Sequence, residues 1–121
     1  MKILVLFLML FLHVVDDYYL QGILASMKQK SWWQKNAPDN LYKKDYIVAL
    51  ICHSFSWAFL TTLPLYLFEM TNIFVYIMFF INWIVHAVID DLKANKKKIN
   101  LIQDQSIHVA QILLIYLCSF I

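Results

Sequence analysis

Four stretches of this chain are each apolar for about 20 residues, the length at which a helix crosses the hydrocarbon of a bilayer. They run from about residue 2 to 24, 46 to 68, 72 to 92 and 99 to 121. They take up most of the 121 residues, and 62% of the chain is hydrophobic with a single glycine, which excludes a soluble globule. Within hydrocarbon, backbone polar groups have to be satisfied inside the segment itself, so runs of this length must be helices. The expected fold class is all-α: a four-helix transmembrane bundle forming one domain over residues 1–121. Glu69, Met70 and Thr71 alone link the second and third spans, which makes those two an antiparallel hairpin. Pro64 is expected to kink the second span near its far end.

The segment Met1 to Leu12 also has the charged start and apolar core of a secretory signal peptide. Against that reading, the apolar run continues through His13 and two aspartates to Leu24 without a small-x-small cleavage site.

Lysine placement sets the orientation, because short Lys-rich loops stay in the cytoplasm. The loop of residues 25–45 carries Lys28, Lys30, Lys35, Lys43 and Lys44, and the link after the third span carries Lys93, Lys96, Lys97 and Lys98. The hairpin turn has none, so both termini are expected on the outer side of the cell inner membrane, with Lys2 the one dissenting charge. Trp32 and Trp33 lie among the lysines of the first loop and predict a short interfacial helix there.

All four histidines sit inside these apolar stretches. Two open the pattern His-x-x-x-Asp, at His13 to Asp17 and His86 to Asp90, and Asp104 to His108 is its mirror image. A spacing of four puts both side chains on one helix face. At 1.5 Å per residue, His13 lies about 16 Å, His53 about 10 Å, His86 about 9 Å and His108 about 13 Å from the cytoplasmic ends of their spans. Asp17, Asp90 and Asp104 lie about 10, 3 and 8 Å deep by the same arithmetic, so all seven groups share one slab of the membrane. An Asp at the centre of a span costs roughly 2.5–3.5 kcal/mol, which a purely structural bundle would avoid by using leucine. A hydrogen-bonded network completed by Gln21, Asn82, Gln105 and Gln111 is the plainer explanation. A divalent cation is the stronger one, since no lysine is expected at that depth to balance the carboxylates.

Asp16 and Asp91 adjoin the motif aspartates, and either member of each pair could point inward. Helical geometry favours Asp17, on the stripe 13, 17, 21, and Asp90, on the stripe 82, 86, 90, leaving Asp16 and Asp91 as supporting or interface residues.

These motifs carry a resemblance. His13-x3-Asp17-x3-Gln21, His53, His86-x3-Asp90-x2-Lys93 and Asp104-Gln105-x2-His108, in this order, resemble a family of small bacterial and phage membrane proteins of unknown function. That family is similar in motif style to membrane-bound metal-dependent hydrolases. Spacing and shared depth give a candidate metal set of His13, Asp17, His53, His86, Asp90, Asp104 and His108, supported by Gln21, Asn82, Lys93 and Gln105. The preferred reading of that set is hydrolysis of a phosphate- or ester-containing substrate at the cytoplasmic membrane surface.

Histidine and carboxylate without thiolate suit zinc, manganese, iron or nickel, and seven donors exceed the needs of one tetrahedral ion. A dinuclear centre fits that number, with Asp17, Asp90 and Asp104 as the candidate catalytic carboxylates. The lysine loops would draw an anionic lipid or lipid phosphate to the same side. Two other classes use these features: a proton or metal-ion pathway, for which an oligomer could build a pore between chains, and a non-enzymatic accessory protein of phage type. Ten lysines without an arginine, three of them in the run Lys96 to Lys98, point to topology rather than to nucleic acid. Cys52 and Cys118 fall toward opposite faces of the membrane and are not expected to pair.

Overall fold

The computed structural model describes all residues, Met1–Ile121, and contains helices and no strands. Helix α1 covers Lys2–Val15 and continues as a π-helical stretch, Asp16–Leu20. Two short helices follow, α2 (Leu24–Met27) and α3 (Lys30–Asn36), then a 3-10 turn at Asn40–Tyr42. The remaining long helices are α4 (Asp45–Leu67), α5 (Ile73–Ala94) and α6 (Leu101–Cys118). Four helical paths, Lys2–Leu20, Asn40–Leu67, Ile73–Ala94 and Leu101–Cys118, are long and apolar enough to cross a membrane.

Local chemistry explains where these helices begin and end. Asn100 accepts from the Gln103 amide while the Gln103 side chain accepts from the Asn100 amide, a reciprocal capping box that starts α6. Asn72 caps α5 through the Val75 amide, and its Nδ2 donates to the Cys118 carbonyl, tying the hairpin to the end of α6. Glu69 takes φ 56° and the Met70 amide donates back to the Leu65 carbonyl, so α4 closes with a Schellman-type turn. Helix α4 continues through Pro64 to Leu67.

The first span differs from expectation. Its helix ends at Leu20 rather than near Leu24, because Gly22 adopts φ +53° and turns the chain toward α2. The apolar residues beyond Leu20 do not prolong the span.

The four long helices form a ring in which α1 packs on α4, α4 on α5, α5 on α6 and α6 on α1. The interior is divided along its length. Val5, Met9, Leu65, Val75, Ile112 and Ile115 fill one end, with Trp57 and Ala58 completing the cluster. Toward the other end the same inner faces carry His13, Asp16, His53, His86, Asp90, Asp104 and His108, all buried. The outer faces expose Phe7, Phe11, Phe80, Ile84, Leu114 and Leu117. More polar than apolar residues are buried, the reverse of a water-soluble bundle.

Candidate metal centre

Each long helix contributes to one buried polar cluster. His53 and His86, from α4 and α5, face each other with their Nε2 atoms 3.2 Å apart. Asp17 Oδ1 lies 3.3 Å from His53 Nε2 and 3.8 Å from His86 Nε2. On α5, Asp90 Oδ2 lies 3.4 Å from His53 Nε2 and 3.8 Å from His86 Nε2. The other oxygen of Asp90, Oδ1, is 3.6 Å from His108 Nε2, which is also 3.3 Å from Asp104 Oδ1. Asp90 thus turns one oxygen to each of two donor groups. Asp17, His53 and His86 form one triad with ligand atoms all within 4.8 Å of one another, and His86, Asp90 and His108 form another.

These separations bear on metal fit. A tetrahedral ion with bonds of about 2.0–2.2 Å holds its donors about 3.3–3.6 Å apart. The donor spacings here bracket that range. Asp17 Oδ1, Asp104 Oδ1 and His108 Nε2 are also buried without a hydrogen-bond partner, a costly arrangement unless something else engages them. The donor set therefore fits a divalent cation by chemistry and by spacing.

The surrounding side chains hold the imidazoles in place. Asp16 Oδ2 lies 3.6 Å from His53 Nδ1, while Asp16 Oδ1 accepts from Ser56 Oγ at 2.5 Å. A carboxylate behind the outer nitrogen of a ligand histidine is a common means of orienting the ring. Gln111 Oε1 pairs with His108 Nδ1 at 3.1 Å, which turns Nε2 toward Asp90 and Asp104. Asn82 reaches the cluster only through Gln111, whose Nε2 donates to the Asn82 carbonyl at 3.2 Å and to Asn82 Oδ1 at 3.3 Å. Trp57 forms the floor: its ring stacks on His86 at 4.2 Å, and its indole N–H donates to His13 Nδ1 at 2.8 Å.

His13 stands apart from the other three histidines. Because Nδ1 accepts from Trp57, Nε2 carries the proton and donates to Gln105 Oε1 at 3.0 Å. Both ring nitrogens are engaged. Gln105 joins the parts, donating from Nε2 to Asp17 Oδ2 at 3.2 Å and to Asp104 Oδ2 at 3.0 Å. Gln21 donates to the Asp17 carbonyl, and its Oε1 is buried without a partner.

Two lysines overturn the expectation that no cationic side chain reaches this depth. Lys28 Nζ donates to Asp90 Oδ2 at 2.6 Å, and Lys93 Nζ donates to Asp104 Oδ2 at 2.7 Å. Lys28 arrives because the turn at Gly22 folds residues 24–28 back under the bundle. Asn95 holds them there, accepting from the Lys30 amide and donating to the Lys28 carbonyl. Four carboxylates, Asp16, Asp17, Asp90 and Asp104, face two ammonium groups, leaving a formal charge of −2 when the imidazoles are neutral. A bound divalent cation would offset that charge.

Sequence reasoning passed over Lys28, Ser56 and Trp57. Trp57 is one helical turn beyond His53, so its place on the inner face was readable. Lys28 had only the lone glycine before it as a sign that the chain reverses. Asp16 and Asp17 are both used, because positions three and four after His13 lie on either side of its stripe and the wider π turn opens the space between them. Asp91 stays outside the cluster, 3.5 Å from Lys96 and bonded to Asn95.

Residues 5–121 match the model of a family described as "Protein of unknown function (DUF3307)", and the chain belongs to that family. No curated protein and no solved structure matches it.

Proposed function

We propose that this DUF3307 protein is a multi-pass protein of the inner membrane that binds divalent metal in the cytoplasmic half of its bundle. There it hydrolyses a phosphate- or ester-containing substrate at the membrane surface. The observation that carries this reading is Asp90, whose Oδ2 faces His53 and His86 while its Oδ1 faces His108, as a carboxylate shared by two ions would. Asp17, His53, His86 and Asp90 would hold one ion, and Asp90, Asp104 and His108 a second. The metal would supply a Lewis acid and a water acidified enough to attack at neutral pH.

The side chains divide the remaining work. Asp16 and Gln111 orient His53 and His108, so that the ring nitrogens meet the ion without rearrangement. Gln105 fixes Asp17 relative to Asp104. Lys28 and Lys93 sit where an anionic substrate group would arrive. Lys28, Lys93 and Lys96 to Lys98 lie at the same end of the bundle as the cluster, which supports a cytoplasmic site with both termini outside. An anionic lipid or lipid phosphate is the substrate class that suits this charge.

Translocation is the weaker reading. The far half of the interior is packed with Val5, Met9, Leu65, Val75, Ile112 and Ile115, so one chain offers no polar route across. The deciding experiment is elemental mass spectrometry on detergent-purified protein beside His86→Ala and Asp90→Ala variants that still fold by circular dichroism. Near-stoichiometric metal in the parent and its loss in both variants supports the reading. No metal in the parent after incubation with zinc, manganese, iron and nickel defeats it.

A further inference from the structure

Four hydrogen bonds run in one direction along one side of the cluster, from α4 through α1 to α6. Trp57 has a single polar hydrogen, and its indole N–H donates to His13 Nδ1 at 2.8 Å. A neutral imidazole that accepts at Nδ1 carries its proton on Nε2, and Nε2 donates to Gln105 Oε1 at 3.0 Å. The Gln105 amide then has two N–H bonds to give. They go to Asp17 Oδ2 at 3.2 Å and Asp104 Oδ2 at 3.0 Å.

Where the series ends decides which carboxylate oxygens are left bare. Gln105 holds Oδ2 of both aspartates, and Oδ1 of both is buried without a partner. Those bare oxygens are the ones that face imidazole: Asp17 Oδ1 lies 3.3 Å from His53 Nε2, and Asp104 Oδ1 lies 3.3 Å from His108 Nε2. His13 Nδ1 is itself 3.6 Å from Asp17 Oδ2, so a proton on Nδ1 would be drawn to that carboxylate. The indole N–H prevents this, because it would then meet the imidazole donor to donor. Take the indole N–H away and the buried Nδ1 lone pair is unpaired beside a carboxylate, an arrangement relieved by moving the proton there. Nε2 would then need a donor, and the Gln105 amide would have to turn to supply one. Its carbonyl oxygen would swing against Asp17 and Asp104.

We infer that the Trp57 indole N–H is a positioning donor for the metal centre. By holding the His13 proton on Nε2 it keeps His13 off Asp17, and it fixes the Gln105 amide so that Asp17 and Asp104 each present Oδ1 to an ion. Trp57 acts through His13 and contacts no ion itself. Stacking on His86 asks only for an aromatic ring, and the N–H is what a phenylalanine there would lack. The effect on an ion rests on the reading of the cluster as a metal site, but not on hydrolysis. The placement of the proton belongs to the metal-free protein.

The test uses full-length protein in detergent micelles, labelled with nitrogen-15 histidine and free of metal. The His13 signals are the ones missing from His13→Ala. In the parent they should show a protonated Nε2 and a bare Nδ1, and in Trp57→Phe, which keeps a ring against His86, the proton should move to Nδ1. Zinc affinity, read by chelator competition, should fall roughly 10–100-fold in Trp57→Phe. In a His13→Ala background the same substitution should cost nothing further, because the competitor for Asp17 is gone. A tryptophan that served only by packing would cost the same in both backgrounds. If Trp57→Phe does not fold, 3-benzothienylalanine at position 57 keeps the bicyclic ring with sulfur in place of the N–H. A His13 proton that stays on Nε2 in the variant, or an equal loss of affinity in the two backgrounds, overturns the inference. A parent that takes up no zinc defeats the metal reading, and the spectra then decide the placement of the proton by themselves.

Discussion

His53 and His86 bring their Nε2 atoms to 3.2 Å of each other inside a bundle whose long helices expose many large apolar side chains. Two neutral imidazoles can satisfy that contact only if one keeps its proton there, and His86 Nδ1 is then left without a partner. A shared cation would take both lone pairs and leave the proton of His53 on Nδ1, the nitrogen that faces Asp16.

The histidines should not be equivalent in metal binding. His53→Ala and His86→Ala should each lose the ion they hold, whereas His13→Ala should retain most of the metal, because both nitrogens of His13 are committed to Trp57 and Gln105. Elemental analysis of the three proteins checks this, and a His13→Ala variant as empty as the others would contradict it.

Asp16 acts on the metal through His53. Asp16→Asn should preserve the fold and weaken metal affinity by roughly 10–100-fold, the usual cost of losing an orienting partner. Competition with a chromophoric chelator would measure it, and unchanged affinity would remove Asp16 from the site.

Lys28 competes with any cation for Asp90 Oδ2. Lys28→Met leaves a buried carboxylate unpaired, which should lower metal-free stability by about 3–5 kcal/mol. Added divalent metal should raise its thermal midpoint in detergent more than it raises the parent's. Equal shifts in the two proteins would show that Lys28 and metal do not share the carboxylate.

The turn that delivers Lys28 depends on Gly22. An added Cβ meets open space there, with the Leu20 carbonyl oxygen at 4.0 Å, so the cost of Gly22→Ala is conformational. At φ +53° it should be about 1–2 kcal/mol. Hydrogen exchange should accelerate across α2 and Lys28 while α4 and α5 stay protected, and uniform exchange in the two proteins would count against a locally held segment.

Orientation is checked by single cysteines placed in a background lacking Cys52 and Cys118. A cysteine at Lys97 should resist a membrane-impermeant maleimide in intact cells, and one at Met70 should react. The opposite pattern would put the cluster in the outer leaflet.

Much of the architecture was legible in the residues. The length of each apolar run allowed only helices, the three-residue link required the α4–α5 hairpin, and the spacing of four placed His86 with Asp90 and Asp104 with His108 on common faces. Those are short-range properties, set by helical rise and by the cost of bare backbone in hydrocarbon. The end of the first span was misjudged because Leu24 is as apolar as Leu20, and only the backbone angle at Gly22 separates the long apolar helix from the folded-back loop.

The residues by themselves determined a bundle with histidines and aspartates at one depth, because hydrophobicity and the helical repeat act along the chain. Only the tertiary structure decided which nitrogens stay free, that Asp90 faces two donor groups, that Lys28 enters the cluster, and that Lys28 and Lys93 pair with Asp90 and Asp104. Those outcomes depend on rotations of neighbouring helices and on a loop returning from outside the span, and these are contacts between segments that no periodicity within one segment encodes.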